Sequence, residues 1–284
     1  MLTYIFFFVT GIGAGVFGAL LGLGGGIIMI PILTLGFHVP MHTAIAASVV
    51  AVIATSSATA IHYVADRVSN IRLGMTLEVA TTIGAVIGGL LAAHSPDKVL
   101  RIIFALLLVY TAVSMVRGGE RGGNKAAAAA PAETTGKEDL GLWGDRFHDP
   151  SQKREVSYRV GRMPVGLGAS FIAGNLSGLL GVGGGLIKVP AMTLLMGVPF
   201  KAAAATSNFM IGVTAVASAF IYYGEGLVNP LVTAPVAIGV FLGATWGARL
   251  APHISSRRLV QAFSLVLVVE AILMSTQALG IRIV

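Results

Sequence analysis

The sequence predicts an all-α polytopic membrane protein made of two homologous halves, each with four or five transmembrane segments. Apolar residues make up 55% of the chain and charged residues 11%, whereas soluble domains have about 25% charged residues. Several apolar runs reach about 20 residues, which is the length that spans a bilayer. Residues 18–116 also match residues 177–275 at a constant offset of 159 positions, and such duplication is typical of secondary transporters.

The basic residues divide the chain into three parts. Nine of the 19 Lys and Arg residues lie between 117 and 162, together with several glycines and a run of alanines. We predict a first transmembrane repeat at 1–116, a hydrophilic cytoplasmic linker at 117–162 and a second repeat at 163–284. We also expect a short helix near residues 140–147. The net charge of +7 is then a topology signal, not a sign of nucleic-acid binding.

The apolar runs locate the helices of both halves. The first run lacks a basic start and is predicted to be a helix of the mature protein rather than a cleaved signal. In the first half we predict helices at 2–21, 43–63, 73–94 and 98–116, with a short apolar piece at 27–37. In the second half we predict helices at 163–182, 202–223, 231–251 and 256–279, with a short piece at 186–196.

A glycine-rich motif begins each half. The chain reads Gly-Leu-Gly-Gly-Gly-Ile-Ile-Met-Ile-Pro from Gly22 to Pro31 and repeats almost unchanged from Gly181 to Pro190. Inside a helix each glycine costs about 1 kcal/mol and proline about 3 kcal/mol, so we predict broken membrane helices. Exposed N–H groups at such breaks attract anions. The predicted substrate-binding glycines are therefore Gly24, Gly25, Gly26, Gly183, Gly184 and Gly185. The alternative is that these glycines only allow close helix packing.

Polar side chains near the breaks are further candidates for substrate binding. Lys188 follows the second break where the first half has Met29. A buried ammonium is costly and needs an anion or a carboxylate as partner, unless it reaches the membrane surface. Ser48, Ser207 and Asn208 could hydrogen-bond an oxyanion or simply join helices.

Acidic residues within helices are candidates for proton coupling. Glu78 and Glu270 could carry protons or form internal ion pairs, although Glu78 could also lie at the membrane interface. The chain contains no cysteine, and its histidines lack the spacing of metal ligands, so we expect no metal site and no cofactor. No nucleophile–base pair or phosphate-binding loop is present, and we expect no enzymatic activity.

Topology depends on the short pieces that follow the breaks. A helix of 11 residues covers only about half of the bilayer core. If each broken run crosses once, each half has four crossings and the repeats are parallel. If the two parts of each run count separately, each half has five and the repeats are inverted. The distribution of Lys and Arg favours inverted repeats with a cytoplasmic linker.

The duplicated motif resembles that of the sulfite exporter TauE/SafE family of membrane permeases. The residues that carry the resemblance are Gly22 to Gly26 with Pro31 and Gly181 to Gly185 with Pro190. The resemblance implies export of sulfur-containing anions across the bacterial inner membrane, linked to the proton gradient. Sulfite, thiosulfate and organosulfonates such as taurine or sulfoacetate are the implied substrates.

The sequence therefore predicts an anion transporter with alternating access between two halves. Its expected partners are a small anionic substrate and the lipid bilayer. The alternatives are an anion channel and a carrier of cations or metal ions on the same fold. Glycine-rich faces at 11–22 and 84–88 could serve internal packing or a homodimer.

Overall fold

The fold is a bundle of long apolar helices. The computed structural model describes residues 2–22, 24–65, 68–110, 140–149 and 154–250, together with residues 254, 265, 268 and 269. The helices are α1 Leu2–Leu21, α2 Gly26–Pro31, α3 Met41–Ala65, α4 Ile71–Ala93, α5 97–110, α6 Met163–Leu180, α7 Gly185–Pro190, α8 Phe200–Gly224 and α9 Pro230–Leu250. The strands are β1 Asp145–Asp149 and β2 Arg154–Tyr158.

Six of the described helices are long and apolar enough to cross a membrane, namely α1, α3, α4, α6, α8 and α9. Each lies within two or three residues of a helix predicted from the apolar runs. The predicted helix at 98–116 is observed up to residue 110, and its last six residues lie outside the described part of the chain. The predicted helix at 256–279 also falls almost entirely outside it.

Both short apolar pieces are helical, as predicted, and both continue past their proline in a π-helical turn. These turns span Ile32–Gly36 and Ala191–Leu195. A threonine in each turn donates a hydrogen bond to the carbonyl four residues earlier: Thr34 to Ile30 at 2.8 Å and Thr193 to Val189 at 2.9 Å. The hydroxyls thus satisfy carbonyls beside the proline, in a stretch where regular helical pairing is lost.

Each short helix folds back alongside the long helix that precedes it. Phe37, just after the first π-helical turn, packs edge-on against Phe7 of α1 with ring centroids 4.7 Å apart. Gly161, just before α6, donates its N–H to the carbonyl of Met196 at 3.0 Å. The pairs α1–α2 and α6–α7 are therefore helical hairpins, and each hairpin begins and ends at one end of the bundle.

The two hairpins open at opposite ends of the bundle. The N–H of Met41, at the start of α3, meets the Asp97 carboxylate at 3.3 Å, and we call this the distal end. At the other end of α3, Asn70 donates to the Tyr158 hydroxyl at 3.2 Å, and we call this the linker end. The α1–α2 hairpin opens at the distal end, because the chain enters α3 directly after it. The α6–α7 hairpin opens at the linker end, where Met196 packs in one cluster with Tyr158.

Glycines allow each hairpin to pack closely on a long helix of the other half. A Cβ on Gly15 of α1 would lie 2.9 Å from the backbone nitrogen of Ala244 in α9. A Cβ on Gly88 of α4 would lie 3.0 Å from the backbone nitrogen of Leu179 in α6. Helices α3 and α8 pack against each other and against α9 and α4 respectively. The glycine faces at 11–22 and 84–88 are thus used for internal packing.

The prediction of a short helix near residues 140–147 is wrong. This stretch enters an antiparallel hairpin of β1 and β2, in which Phe147 pairs with Val156. Phe147 and Tyr158 are buried against α4 and the second π-helical turn, and this burial raises the pKa of the Tyr158 hydroxyl. Side chains that alternate between an apolar and a solvated face favour strands over a helix. This part of the predicted hydrophilic linker therefore packs onto the bundle.

Candidate functional site

The two glycine-rich breaks share one backbone conformation. The three positive-φ glycines of the first break are Gly22, Gly24 and Gly25, at 73°, 77° and 72°. Their counterparts in the second break are Gly181, Gly183 and Gly184, at 68°, 76° and 73°. Residues with a side chain rarely adopt this region, so the break itself requires glycine.

The last glycine of the first triplet allows the two breaks to touch. A Cβ on Gly26 would lie 2.6 Å from the carbonyl oxygen of Gly181 and 2.5 Å from Oγ of Ser48. The structure therefore brings together two regions that are far apart in the sequence. Both proposed roles of the glycines, an unwound backbone and close packing, apply at different positions of the same motif.

One serine joins each break to a helix of the other half. Ser48 of α3 donates to the Gly181 carbonyl at 2.7 Å, and Ser207 of α8 donates to the Gly22 carbonyl at 3.2 Å. Ser48 and Ser207 are repeat partners, as are Gly22 and Gly181, so the two bonds are reciprocal. Both side chains are fully buried. They make the interhelical bonds that were the alternative for these residues, and their binding of an oxyanion stays a prediction.

Asn208 carries a buried polar atom that lacks a partner. Its Nδ2 donates to the Ala19 carbonyl at 3.2 Å, and its backbone carbonyl accepts a bond from Ser56 at 2.6 Å. Its Oδ1 has no hydrogen-bond partner among the described residues. An unsatisfied buried acceptor costs about 1–3 kcal/mol, so Asn208 is a place where an additional hydrogen-bond donor would be stabilising. The first half has Val49 at the matching position.

Lys188 lies one turn into α7 and points into the bundle. Its Nζ is 3.5 Å from Oε2 of Glu78 in α4 and 3.1 Å from Oγ1 of Thr214 in α8. The residue is 2% exposed. The alternative that Lys188 reaches a membrane surface is wrong, because the folded-back hairpin carries it between two other helices. Of the predicted partners, the structure supplies a carboxylate.

Glu78 completes a buried polar group that we call the Lys188 cluster, consisting of Glu78, Thr82, Lys188 and Thr214. Thr214 donates to Oε1 of Glu78 at 2.5 Å, and Thr82 donates to the same oxygen at 3.2 Å. Glu78 is 3% exposed, so neighbouring helices enclose its side chain. The internal ion pair predicted for Glu78 is confirmed.

The two threonines of the cluster were not among the residues predicted from the sequence. A signal for Thr214 was available, because it lies seven residues after Ser207 and therefore on the same face of α8. Thr82 is four residues after Glu78 and shares its helix face in the same way. Threonine is common in membrane helices as a packing residue, which hides such positions in a single sequence.

Other candidates contribute less to this region. Glu270, the second predicted proton carrier, lies outside the described residues. Among the residues that the structure describes, no three His, Asp or Glu side chains come close enough together to hold a metal ion. The buried polar groups that the described residues bring near the breaks are therefore one ammonium, one carboxylate, one amide and several hydroxyls.

Comparison with known proteins agrees with the motif. The model of the family "Sulfite exporter TauE/SafE" matches residues 7–274. The probable membrane transporter protein YunE of Bacillus subtilis is 26% identical over 274 residues, covering 94% of this chain and 95% of the relative. The probable membrane transporter protein MJ0441 of Methanocaldococcus jannaschii is 23% identical over 281 residues, covering 94% and 93%.

A plant protein is similar over a shorter stretch. Sulfite exporter TauE/SafE family protein 6 of Arabidopsis thaliana is 34% identical over 88 residues, or 30% of this chain and 20% of the relative. No solved structure shows significant similarity to the chain.

The family match and the helices lead to one conclusion. The family model covers nearly the whole chain, and six apolar helices of the described residues can each cross a membrane. The protein is a multi-pass membrane protein and a transporter, not an enzyme. The predicted family resemblance is confirmed: the chain belongs to the sulfite exporter TauE/SafE family.

Proposed function

We propose that this protein is a secondary transporter that exports small sulfur-containing anions across the inner membrane of a bacterium. Sulfite, thiosulfate and organosulfonates are the candidate substrates, and proton movement accompanies the transport. The observation that carries the proposal is the fully buried Lys188 beside the ionisable Glu78. Ionisable residues at membrane depth are costly and mark substrate or proton pathways.

The donors around the breaks suit an oxyanion. Lys188 is the one Lys or Arg that is buried among the described residues, and it supplies the positive charge. The second N–H of the Asn208 amide and the N–H groups of the glycine-rich breaks supply neutral donors. The hydroxyls of Ser48 and Ser207 would join them by leaving the carbonyls of the two breaks. A sulfite or sulfonate group presents three oxygens, all of them acceptors. Such a set recognises the anion by hydrogen bonds and charge.

We infer that the halves are inverted repeats that give alternating access, with the linker in the cytoplasm. The 159-residue register supports this inference, as do hairpins that open at opposite ends of the bundle. The bonds of Ser48 and Ser207 are equivalent under exchange of the two halves, as a two-fold relation between the repeats requires. Each hairpin would move against α3 and α8 to open its own end while the other end stays closed.

Transport by the purified protein in liposomes tests the proposal. Vesicles are loaded with sulfite, thiosulfate, sulfoacetate, taurine, sulfate or chloride, and counterflow of labelled substrate is measured with and without a pH gradient. We expect saturable counterflow of at least one sulfur anion and a change in rate with the pH gradient. Single-channel currents would instead support the anion channel. Flux of metal ions with no flux of any sulfur anion would overturn the proposal in favour of a cation carrier.

A further inference from the structure

We propose that Glu78 is the counter-ion of Lys188 in the empty transporter, and that substrate takes over this role only when Glu78 binds a proton. One proton then moves with each anion in the same direction. This inference rests on the proposed function, because it names the residues that would couple the two movements. Lys188 is the charge partner of the substrate, and Glu78 is its resident competitor.

The ion pair is held loosely. Nζ of Lys188 lies 3.5 Å from Oε2 of Glu78, whereas strong bonds between an ammonium and a carboxylate are about 2.7–2.9 Å long. The shorter contact of the carboxylate comes from the neutral hydroxyl of Thr214, at 2.5 Å. Lys188 has three N–H groups and two hydrogen-bond partners among the described residues. The ammonium thus keeps a free donor for a further ligand.

Glu78 can be neutral at its present position. Thr82 and Thr214 both contact its Oε1 through hydroxyl groups. A hydroxyl can donate a hydrogen bond or accept one, so each threonine can serve the carboxylate and the protonated acid alike. Protonation of Glu78 therefore removes the attraction to Lys188 without leaving the acid unpartnered.

The charges around the Lys188 cluster make this proton necessary. Helix α6 and the second π-helical turn have no charged residue. On α8, Lys201 lies 13 residues before Thr214, or about 20 Å along the axis. On α4, Arg72 lies six residues before Glu78, toward the linker end. With Glu78 ionised the cluster is neutral, and an entering anion would meet a like charge in a medium of low dielectric constant.

The coupling also separates the candidate substrates by charge. A singly charged anion that travels with one proton carries no net charge and does not respond to the membrane potential. An outside-acid pH gradient opposes the outward proton in both cases. A doubly charged anion with one proton carries one net negative charge, so the inside-negative potential drives it outward against that gradient. Export therefore favours dianions such as thiosulfate, sulfoacetate and the doubly charged form of sulfite over zwitterionic taurine.

Binding to the purified full-length chain in detergent tests the inference. Thiosulfate and sulfoacetate are suitable probes, because their charge is constant between about pH 6 and 8. In the wild type we expect the affinity to fall as the pH rises, by about tenfold per unit wherever Glu78 is ionised. In Glu78→Gln we expect affinity that equals or exceeds the wild-type value at low pH and does not change with pH. Lys188→Met should bind neither probe.

A double variant controls for folding. Lys188→Met with Glu78→Ala reproduces the repeat partners Met29 and Ala237 and leaves no buried charge unpaired. It should be as stable as the wild type on heating and still bind neither probe.

The possible results distinguish a failure of the coupling between Glu78 and substrate from a failure of the proposed function. Binding that does not depend on pH in the wild type, or an equal pH slope in Glu78→Gln, would overturn the coupling and leave the proposed function standing. Failure of the wild type to bind either probe would overturn the proposed function, and this inference with it.

Discussion

Two matched positions beside the breaks differ in chemistry although their backbones agree. Around the second break, Lys188 of the second half meets Glu78 of the first half, and the repeat partners of these two residues are Met29 of the first half and Ala237 of the second half. Met29 is fully buried in an apolar cluster with Val236 and other residues of α9, whereas Lys188 is buried against a carboxylate. The backbone break thus occurs twice, whereas the lysine that could bind an ionic substrate occurs only beside the second break.

A pair of matched threonines shows how the same residue serves both settings. Thr55 of α3 donates to the Gly24 carbonyl at 3.0 Å and so stabilises the first break. Its repeat partner Thr214 donates to Glu78 at 2.5 Å. Around the first break the hydroxyl bonds to the backbone, because the repeat partner of Glu78 is Ala237 and supplies no carboxylate. Around the second break the same position orients the acid.

The largest effect is expected from breaking the charged pair. Lys188→Met should lower transport by at least about 100-fold and destabilise the fold by about 3–5 kcal/mol, because it leaves Glu78 buried without its partner. Adding Glu78→Ala should restore stability but not transport. Thermal unfolding in detergent and counterflow in liposomes measure the two effects. Transport by the double variant would show that the pair is structural.

Introducing a lysine at Met29, the repeat partner of Lys188, tests whether the first break tolerates a charge. Met29→Lys should destabilise the protein by about 3 kcal/mol, because the new ammonium has no carboxylate nearby at membrane depth. Met29→Leu is the control and should cost less than about 1.5 kcal/mol. Thermal unfolding of both variants decides the point. Equal stability of the two would show that the first position tolerates charge and that the comparison is wrong.

Replacing a glycine by alanine should destabilise the protein at the break and stabilise it outside the break. A Cβ on Gly26 would clash with Ser48 and Gly181, so Gly26→Ala should destabilise by about 1–3 kcal/mol. A Cβ on Gly13 of α1 would meet nothing within 4 Å, and Gly13→Ala should stabilise by up to about 1 kcal/mol. Melting temperatures of both variants test this. A neutral Gly26→Ala would mean that the breaks are not in contact.

The two serines should behave as a matched pair. Ser48→Ala and Ser207→Ala each leave a buried break carbonyl without a donor, at a cost of about 1–2 kcal/mol each. The cost for Ser48 should be slightly larger, since its bond is 2.7 Å against 3.2 Å. Unfolding and transport are measured on both variants. A loss of transport that exceeds the loss of stability would support the predicted binding of substrate oxygens by these hydroxyls.

The smallest effect concerns the strand hairpin at the linker end. Burial raises the pKa of Tyr158 above the ordinary value of 10.0, so the docked tyrosine stays neutral while an undocked one ionises above that pH. Docking should therefore weaken as the pH rises past 10, and Tyr158→Phe should remove this dependence. Fluorescence of Trp143 in a Trp246→Phe background reports docking. An equal response with phenylalanine would assign the pH effect to another group.

Local features of the chain were predictable because they depend on neighbouring residues. A glycine triplet with a proline five positions on strongly disfavours a regular helix, through the backbone preferences of these residues themselves. Both breaks and both short helices therefore followed from the motif. The wrong helix near residues 140–147 shows the limit of such reasoning, because the strand around Phe147 depends on pairing with residues such as Val156 after an intervening turn.

The sequence by itself determined the membrane class, the duplication, the breaks and the presence of one lysine beside them, since composition, repeat register and backbone preference are carried by the chain locally. Only the tertiary structure decided what that lysine meets. Lys188 and Glu78 are 110 positions apart, and Ser48 and Gly181 are 133 apart. Such partners depend on how separate helices fold back and pack, and side-chain size and glycine placement set that packing across the whole bundle.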